Sequence, residues 1–454
     1  IAFFNKYPYV LLTGVYKVFK SLHGRIEWSF IVNLYNLQEE LGLKFANKLS
    51  RSHIEFYRNK MKVKYAVQAL SSSVADAIDW LRNEGVPEFQ GSEPTTKFIR
   101  ILDRIFDFLN SRNPFGKGYK KPIFSNNIGY FVKKTESWIQ YLNSLTTLNG
   151  IPLIVTRRKC FVIGFVTSLN SILTTARDLL ATQYYKYVLT YKFSQDHLEL
   201  FFAVIRLRLG CNNNPNALQL KYINKKILLK KAISVSSATN CALFDSEGQV
   251  GSLFPIFSRR SRKQHKEDWN LEDVREILTR VPELNKNAFL KDNILYYIAG
   301  FIIFKLIPII DCSNCCLSLK GSAEHFYTKG LHSFTMFKNK GGLHIPSPSV
   351  FRIVKECEMF LQSALLGELK NLRTNVILYN VKRQLFFEDG GKALFPALTN
   401  CTDNDLDNNH KVTLFHLICE KFMKIRLYSL EKKLNDRVSV RSKNLKGTVQ
   451  HNND

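Results

Sequence analysis

The sequence predicts a mainly α-helical protein, and three observations support this prediction. In successive segments the apolar residues recur at steps of three and four, which is the spacing of one face of a helix. Between residues 16 and 190 no regular alternation of apolar and polar residues marks a sheet. The chain is 45% hydrophobic and only 23% charged, so it has enough apolar side chains for packed cores and is not disordered as a whole.

The first helical pattern runs from Trp28 to Leu49. A cleaner pattern follows from Val63 to Leu81, with Gly85 as its C-terminal stop. Three more patterns lie at Phe98–Leu109, Trp138–Leu145 and Val162–Leu180.

The next segment, Tyr187–Phe193, is aromatic and β-branched, which favours an extended strand-like entry. Ser194 is suited to cap the helix that follows it, and Asn214 with Pro215 is suited to begin another. Further helices are expected around 270–281, 290–307, 349–366 and 412–432.

The composition divides the chain into several parts. A helical module spans 16–190, and a basic polar run at 258–268 has the character of a linker or a localisation signal. The boundaries that follow are 1–15, 16–190, 191–257, 258–268, 269–434 and a polar tail at 435–454 that is expected to be disordered.

The charge predicts a polyanionic partner. Lysine and arginine number 65 against 38 aspartate and glutamate, for a net charge of +27, and clustered cations bind phosphates by Coulomb attraction and counterion release. Nucleic acid is the leading partner and an anionic membrane surface the alternative. The most apolar stretch, Ile294–Ile310, is interrupted by Lys305 and Pro308 before the roughly 20 residues of a bilayer span, so a buried core helix explains it better and no membrane partner is expected.

The nine cysteines are an odd number spread over a long chain, which indicates a reducing compartment. Cys312 and Cys315 form a Cys-x-x-Cys pair, half of a tetrahedral zinc site. His325, His332 or Cys357 are candidates to complete it. Free thiols at the end of a core helix are an equally good explanation.

Two carboxylates, Asp196 and Glu199, lie three residues apart, on nearly the same side of a helix start. Acidic residues there usually interact with the helix dipole, and on spacing alone that explanation is somewhat the better one. The alternative is a Mg²⁺ ligand, because hard oxygen atoms suit that ion.

A basic loop, Asn113–Lys121, contains glycines and aromatic residues between its lysines, a composition that suits phosphate contacts combined with stacking. A solvated loop is the alternative. The candidate DNA-binding residues are Lys117, Lys120, Lys121, Arg206 and Arg208.

Several motifs in one order resemble the P-element transposase family, the THAP-type cut-and-paste transposases. The residues that carry the resemblance are Met61–Ile78, Phe98–Gly116, Ser194–Phe202, Arg206–Lys221, Tyr297–Phe301 and Gly341–Ser347. The resemblance implies an RNase H-like domain, split by a helical GTP-binding insertion (16–190) and resumed at 191–257, with a helical C-terminal domain at 269–434. It also implies a nuclear protein that self-associates on DNA at transposon ends.

The resemblance assigns Glu199 as the third of three catalytic carboxylates, which in the family hold two Mg²⁺ ions for attack on a phosphodiester. It also implies a set of GTP-binding residues. An aromatic ring would stack on guanine, carboxylates would accept from its N1–H and N2 amine, and lysine would neutralise phosphate. The matching positions are Lys48, Lys62, Val63, Phe106, Asp107, Asn110 and Asp196.

The chain departs from the family pattern near its beginning. The second catalytic Asp is expected just before the insertion, yet Ile1 to Ile26 contains no Asp or Glu, and the first is expected before residue 1. With one carboxylate the chain as given is expected not to cleave DNA. The alternative function is a domesticated, non-catalytic protein that binds DNA or other proteins.

Overall fold

The computed structural model describes residues 18–55, 63–157, 159–208, 214–230, 288–321, 330–366, 374–388, 394–396, 398 and 410–450. Two compact units divide the chain: residues 1–35 with 48–265, and residues 36–47 with 266–454. In the described residues both units are built from helices, and a two-stranded sheet is the single sheet found there. The predicted mainly α class is confirmed.

The first unit contains a β-hairpin and a series of helices in chain order. The hairpin strands are β1 (Val18–Ser21) and β2 (Gly24–Glu27). The helices are α1 (Ser29–Leu41, whose second half belongs to the other unit), α2 (Arg51–Ile54), α3 (Val63–Ala69), α4 (Ser72–Asn83), α5 (Glu93–Leu109), α6 (Ile128–Asn143), α7 (Lys159–Ala181), α8 (Asp196–Arg208) and α9 (Ala217–Lys230).

Two of the predicted helices are shorter than their apolar patterns. The first ends at Leu41 because Gly42 takes a left-handed φ of +68°, which an α-helix does not accommodate. The second is interrupted at Ser71, whose extended backbone separates α3 from α4. The predicted extended entry, Tyr187–Phe193, is a 3₁₀ turn at Thr190–Phe193, although Val188 forms one antiparallel bridge with Ile123.

The β-hairpin was not predicted. β1 and β2 pair antiparallel, and Phe19 and Ile26 are the buried residues that the two strands contribute. Phe19 packs edge-on against Phe98 of α5 at 5.1 Å between ring centroids. The backbone N–H of Glu27 donates to Thr95 Oγ1, also on α5, at 3.0 Å. Strands of four residues contain too few alternations to be detected by periodicity.

Helix α5 is the centre of the first unit. Its buried stripe includes Phe98, Leu102, Ile105 and Phe108, and Phe108 contacts Phe131 of α6 at 4.9 Å between centroids. On another face Arg100 of α5 donates to Asp76 at 2.5 Å and to Asp79 at 2.7 Å on α4. The helix thus joins an apolar layer and a charged layer.

Within the described residues, the second unit is built from the end of α1 and six helices with a short π-helix at Arg383–Glu388. The helices are α10 (Ala288–Leu306), α11 (Ser313–Leu319), α12 (Ser333–Lys338), α13 (Pro348–Leu366), α14 (Thr374–Lys382) and α15 (His410–Gln450). The expected linker at 258–268 and the helix at 270–281 lie outside the described residues. Helix α15 continues past Asn435 to Gln450, where a disordered tail was expected.

Helices α7 and α10 are long and apolar enough to be candidate membrane spans. In the most apolar windows of Lys159–Ala181 and Ala288–Ile309, 44% and 50% of the residues are buried inside the protein. Core helices of globular domains meet the same criteria of length and hydropathy, so these criteria alone are weak support for a membrane.

A glycine explains why two of the sequence motifs occur together. Gly300 in α10 faces the carbonyl of His344, and a Cβ at that position would lie 2.4 Å from its oxygen. Any other residue would push the two segments apart. The Tyr297–Phe301 motif and the Gly341–Ser347 motif therefore form one packing contact.

A buried ion pair links α13 to α15. Arg426 donates from Nε and Nη2 to the two carboxylate oxygens of Glu358 at 2.6 and 2.7 Å, and from Nη1 to the carbonyl of Gly42 at 3.1 Å. Both charged side chains are nearly inaccessible, at 6% and 4%. Removing one partner would leave the other charge buried without compensation.

We expect Glu358→Ala to lower the free energy of unfolding by about 3–5 kcal/mol, because Arg426 would remain buried and unpaired. The measurement is urea unfolding of the full chain. Glu420→Ala is the matched control: it removes an exposed pair with Lys424 on α15 and is expected to cost less than about 1 kcal/mol. Equal effects of the two substitutions would contradict this role of the buried pair.

Candidate nucleotide site

Three of the side chains assigned to nucleotide binding meet at the end of α5 and the start of α8. Arg112 joins two of them: its Nε donates to Asn110 Oδ1 at 3.0 Å and its Nη2 to Asp196 Oδ2 at 3.1 Å. Asp107, in the last turn of α5 and three residues before Asn110, pairs with Lys120 at 3.3 Å. Asn110 and Asp196, 86 positions apart in sequence, are thus joined by one arginine.

The hydroxyl of Thr190 holds the two segments together. It donates to the carbonyl of Phe108 at 2.5 Å and accepts from the N–H of Ser111 at 3.0 Å. The N–H of Tyr191 donates to the carbonyl of Ser111 at 3.2 Å, which adds a backbone bond beside it. Thr190 is 1% exposed and Ser111 is fully buried, so water cannot replace these bonds.

The ring of Tyr191 lies against two cationic side chains of the site. The guanidinium carbon of Arg112 lies 5.6 Å from the ring centroid and Lys192 Nζ lies 5.0 Å from it, both within cation–π range. The arginine is therefore positioned by an amide, a carboxylate and an aromatic face at once.

The loop that carries Lys120 is held in a compact form. Asn113 Oδ1 accepts from the N–H of Phe115 at 2.9 Å, and Ser111 Oγ donates to the carbonyl of Lys120 at 2.7 Å. A Cβ at Gly116 would lie 2.0 Å from that same carbonyl oxygen, so the close approach requires glycine. Phe115 is 89% exposed and available to a partner.

The carboxyl group of Asp107 has an unusual environment. Burial raises its pKa above the ordinary value of an aspartate, and the nearby charge of Asp103 acts in the same direction, while Lys120 opposes both. A partly dehydrated carboxylate with one flexible lysine partner is a strong acceptor for an N–H donor that displaces the lysine.

The remaining predicted nucleotide residues are spread over the first unit. Phe106 is half-buried on α5, Lys48 is exposed in a turn, and Val63 is the half-buried first residue of α3. Lys62 lies outside the described residues. Of the predicted nucleotide residues, the structure thus joins Asn110 and Asp196 through Arg112, with Asp107 one turn before Asn110.

Glu199 lies in the first turn of α8, where Gln195 Nε2 donates to its Oε1 at 2.7 Å. Among the described residues, the one group of three metal-ligating side chains does not include Glu199. The neighbouring carboxylate of Asp196 is bound to Arg112. Glu199 and Asp196 by themselves therefore do not fit a pair of Mg²⁺ ions.

The candidate DNA-binding residues are mostly accessible. Lys117, Lys121 and Arg206 are exposed, and the side chain of Lys120 is 63% exposed although it pairs with Asp107. The side chain of Arg208 lies outside the described residues. The basic loop therefore borders the polar cluster directly.

A cavity of about 640 Å³ is lined by residues of α5 that precede Asp107, from Glu93 to Arg104. Cationic side chains and aromatic rings line it, and none of the predicted nucleotide residues in the described part of the chain is among them. Its lining includes Arg82, Lys97, Arg104, Lys134, Tyr119 and Trp138. Asp79 and Glu93 also line this cavity, so it carries acidic as well as basic groups.

The predicted zinc ligands Cys312 and Cys315 lie in the second unit, at the start of α11. Of the proposed additional ligands, Cys357 is buried with its sulfur 3.5 Å from that of Cys419, and His325 lies outside the described residues. Neither His332 nor Cys357 belongs to the group of metal-ligating side chains that contains Cys312 and Cys315; His410 does.

The sequence missed Arg112, Ser111, Thr190 and Tyr191 as parts of the site. Arg112 follows Asn110 by two residues in the quoted motif, so the sequence did place a charged side chain close to a predicted polar ligand. Thr190 gave none, because its role depends on a contact with a residue 79 positions away.

Comparison with known families assigns three parts of the chain. Residues 12–122 match the family described as "TNP-like, GTP-binding insertion domain", and residues 191–225 match "TNP-like, RNase H C-terminal domain". Residues 285–432 match "DNA transposase THAP9, C-terminal domain".

Two curated relatives are similar over much of the chain. DNA transposase THAP9 of Homo sapiens is 27% identical over 377 residues, which cover 78% of this chain and 40% of the relative. The Transposable element P transposase of Drosophila melanogaster is 24% identical over 273 residues, which cover 57% and 34%. The chain thus spans well under half the length of both relatives.

Among solved structures, the Drosophila P element transposase strand transfer complex is similar with a TM-score of 0.40 and 22% identity, covering 47% of each chain.

We expect Thr190→Val to destabilise the first unit by about 1–3 kcal/mol, because the isosteric valine leaves the buried N–H of Ser111 without its acceptor. Thermal or urea unfolding of the full chain measures the change. Thr182→Val is the control, since the exposed Thr182 hydroxyl bonds only within its own turn, to the carbonyl of Leu179 at 2.6 Å. An effect of Thr190→Val no larger than that of the control would argue against the Thr190 contact.

Proposed function

We propose, since the chain belongs to the P-element transposase family, that it binds a guanine nucleotide at Asp107, Asn110 and Asp196 and binds DNA through the adjoining basic loop. One observation supports this most directly: Arg112 joins Asn110 and Asp196 by donating to both side chains, and Asp107 lies one turn before Asn110. The match of residues 12–122 to a GTP-binding insertion domain agrees with it.

The chemistry of the cluster suits guanine better than adenine. Guanine presents two donors side by side, N1–H and the N2 amine, and a carboxylate accepts both. Adenine presents an acceptor at N1, which would face a carboxylate unfavourably. A site with buried polar groups rejects the mismatched partner because those groups are left unpaired.

The cations of the site have a second role in this proposal. When the base engages the acidic side chains, Arg112 and Lys120 give up part of their ion pairs and become available to phosphate oxygens. Guanidinium and ammonium groups both suit phosphate, and Arg112 can contact two oxygens at once. The nucleotide thus replaces internal partners instead of entering a preformed empty pocket.

The DNA part of the proposal depends on the charge and its position. The net charge of +27 and the exposed Lys117, Lys121 and Arg206 provide contacts to the phosphate backbone. We propose a nuclear protein that self-associates on transposon ends, in line with its family. Strand cleavage is not expected from this chain by itself, because Glu199 belongs to no group of three metal-ligating side chains among the described residues.

We expect calorimetric titration of the full chain with GTP·Mg²⁺ to show saturable binding, and Asp107→Ala to weaken it by about 10- to 100-fold, the loss of one or two hydrogen bonds to a charged acceptor. Adenosine triphosphate is expected to bind more weakly than GTP to the unmodified chain.

Two further variants make this titration decisive. Glu136→Ala removes an exposed carboxylate on α6 outside the site and should leave the affinity unchanged. Arg104→Ala alters the cavity that lies earlier along α5. If Arg104→Ala abolishes binding while Asp107→Ala does not, the nucleotide binds in the cavity and the proposed site is wrong.

We expect DNA affinity to fall with salt, and the double variant Lys117→Ala/Lys121→Ala to reduce the slope of log K against log salt by about 1.8, or about 0.9 per phosphate contact. Lys424→Ala, which removes an exposed lysine paired with Glu420, is the control and should leave the slope unchanged. A slope near zero for the unmodified chain would favour the alternative, a domesticated interaction protein without DNA contacts.

A further inference from the structure

Three metal-ligating side chains meet in the second unit, on segments that are far apart in sequence. Cys312 precedes the first residue of α11, Cys315 lies within that helix, and His410 is the first residue of α15. The donor atoms of the three side chains all lie within 4.8 Å of one another. We propose that this unit binds one Zn²⁺ ion through Cys312, Cys315 and His410.

The distances are close to those of a zinc tetrahedron. With Zn–S of about 2.3 Å and Zn–N of about 2.0–2.1 Å, two ligands in a tetrahedron are about 3.5 Å apart for sulfur and nitrogen and about 3.8 Å apart for two sulfurs. The sulfur of Cys315 lies 3.2 Å from Nδ1 of His410. Because all three donor atoms lie within 4.8 Å of one another, no separation exceeds the ideal by more than about 1 Å, which a change of side-chain rotamer can close.

A hydrogen bond between Cys315 and His410 would explain the contact of those two residues alone. It would not explain why Cys312 lies beside both. A thiolate pair with a neutral imidazole is a donor set that suits zinc, because soft sulfur and borderline nitrogen are its usual ligands. Two thiolates also neutralise the charge of the ion, which matters where Cys315 is 3% exposed.

The other cysteines among the described residues of this unit have different surroundings. The thiol of Cys316 donates to the carbonyl of Ile310 at 3.4 Å. Cys357 and Cys419 form a buried pair 3.5 Å apart, and burial raises the pKa of the Cys419 thiol well above its usual range, which keeps it protonated. Only one of these sets, the group of Cys312, Cys315 and His410, combines two thiols with an imidazole in the described part of the chain.

The proposed ion would be structural in its effect. It would join the start of α11 to the start of α15, whose contacting ligands are 95 residues apart in sequence. Closing so long a segment removes conformational freedom from the unfolded chain, and the free energy of metal binding becomes free energy of folding. The described residues provide three ligands, which leaves one coordination position for water or another group.

The test is the zinc content of the full chain, purified under reducing conditions without chelator and measured by plasma mass spectrometry. We expect about one zinc per chain, and a fall to nearly zero in Cys312→Ser, Cys315→Ser and His410→Ala. Cys316→Ser and Cys357→Ser are the matched controls and should retain the metal. Circular dichroism establishes that each variant is folded, and the half-exposed Cys312 is the substitution that disturbs packing least.

A second measurement covers the case in which the buried variants do not fold. Co²⁺ replaces Zn²⁺ in the unmodified chain, and thiolate-to-cobalt charge-transfer absorption is expected there and not in Cys312→Ser. A chelator should lower the melting temperature of the unmodified chain and leave that of His410→Ala unchanged. Zinc well below one per chain, or zinc retained in Cys312→Ser and His410→Ala alike, would overturn the proposal.

Discussion

The bonds of Thr190 are the contact on which the candidate nucleotide site depends. Asp107 belongs to the last turn of α5 and Asn110 caps that helix, whereas Asp196 belongs to α8, and more than 80 residues separate the two ends in the chain. Thr190 joins the two ends by bonding both the carbonyl of Phe108 and the N–H of Ser111 in a buried position. Arg112 can bridge Asn110 and Asp196 because this contact brings the two segments together.

The second unit depends on two other constraints, the close approach of two backbone segments and a buried ion pair. Gly300 allows the carbonyl of His344 to touch α10, and Arg426 ties α13 and α15 through Glu358. The Arg426 contact with Gly42 also fixes the turn that follows α1 within the same unit. These contacts give the helices one arrangement, whereas the apolar faces by themselves would tolerate several.

Paired acidic side chains and exposed lysines lie next to each other in the first unit. Acidic side chains are few, and many of them are already paired: Asp76 and Asp79 with Arg100, Asp107 with Lys120, and Asp196 with Arg112. The lysines of the basic loop extend outward beside these pairs. A ligand with both hydrogen-bond donors and phosphates can satisfy the acids and the bases of this cluster together, which a simple anion cannot.

The sequence by itself determined the helical class and the approximate positions of most helices, and it predicted the family resemblance and the candidate residues Asp107, Asn110 and Asp196. These features follow from short-range periodicity and from motifs that are contiguous in the chain. Four-residue strands and the interruption at Ser71 escaped because a local window holds too few residues to distinguish them. Only the tertiary structure decided that Thr190 holds the nucleotide cluster together, that Arg112 joins its members, and that His410 meets Cys312 and Cys315. Each of these contacts joins segments about 80 or more residues apart, and such pairs leave no periodic signal because packing alone brings them together.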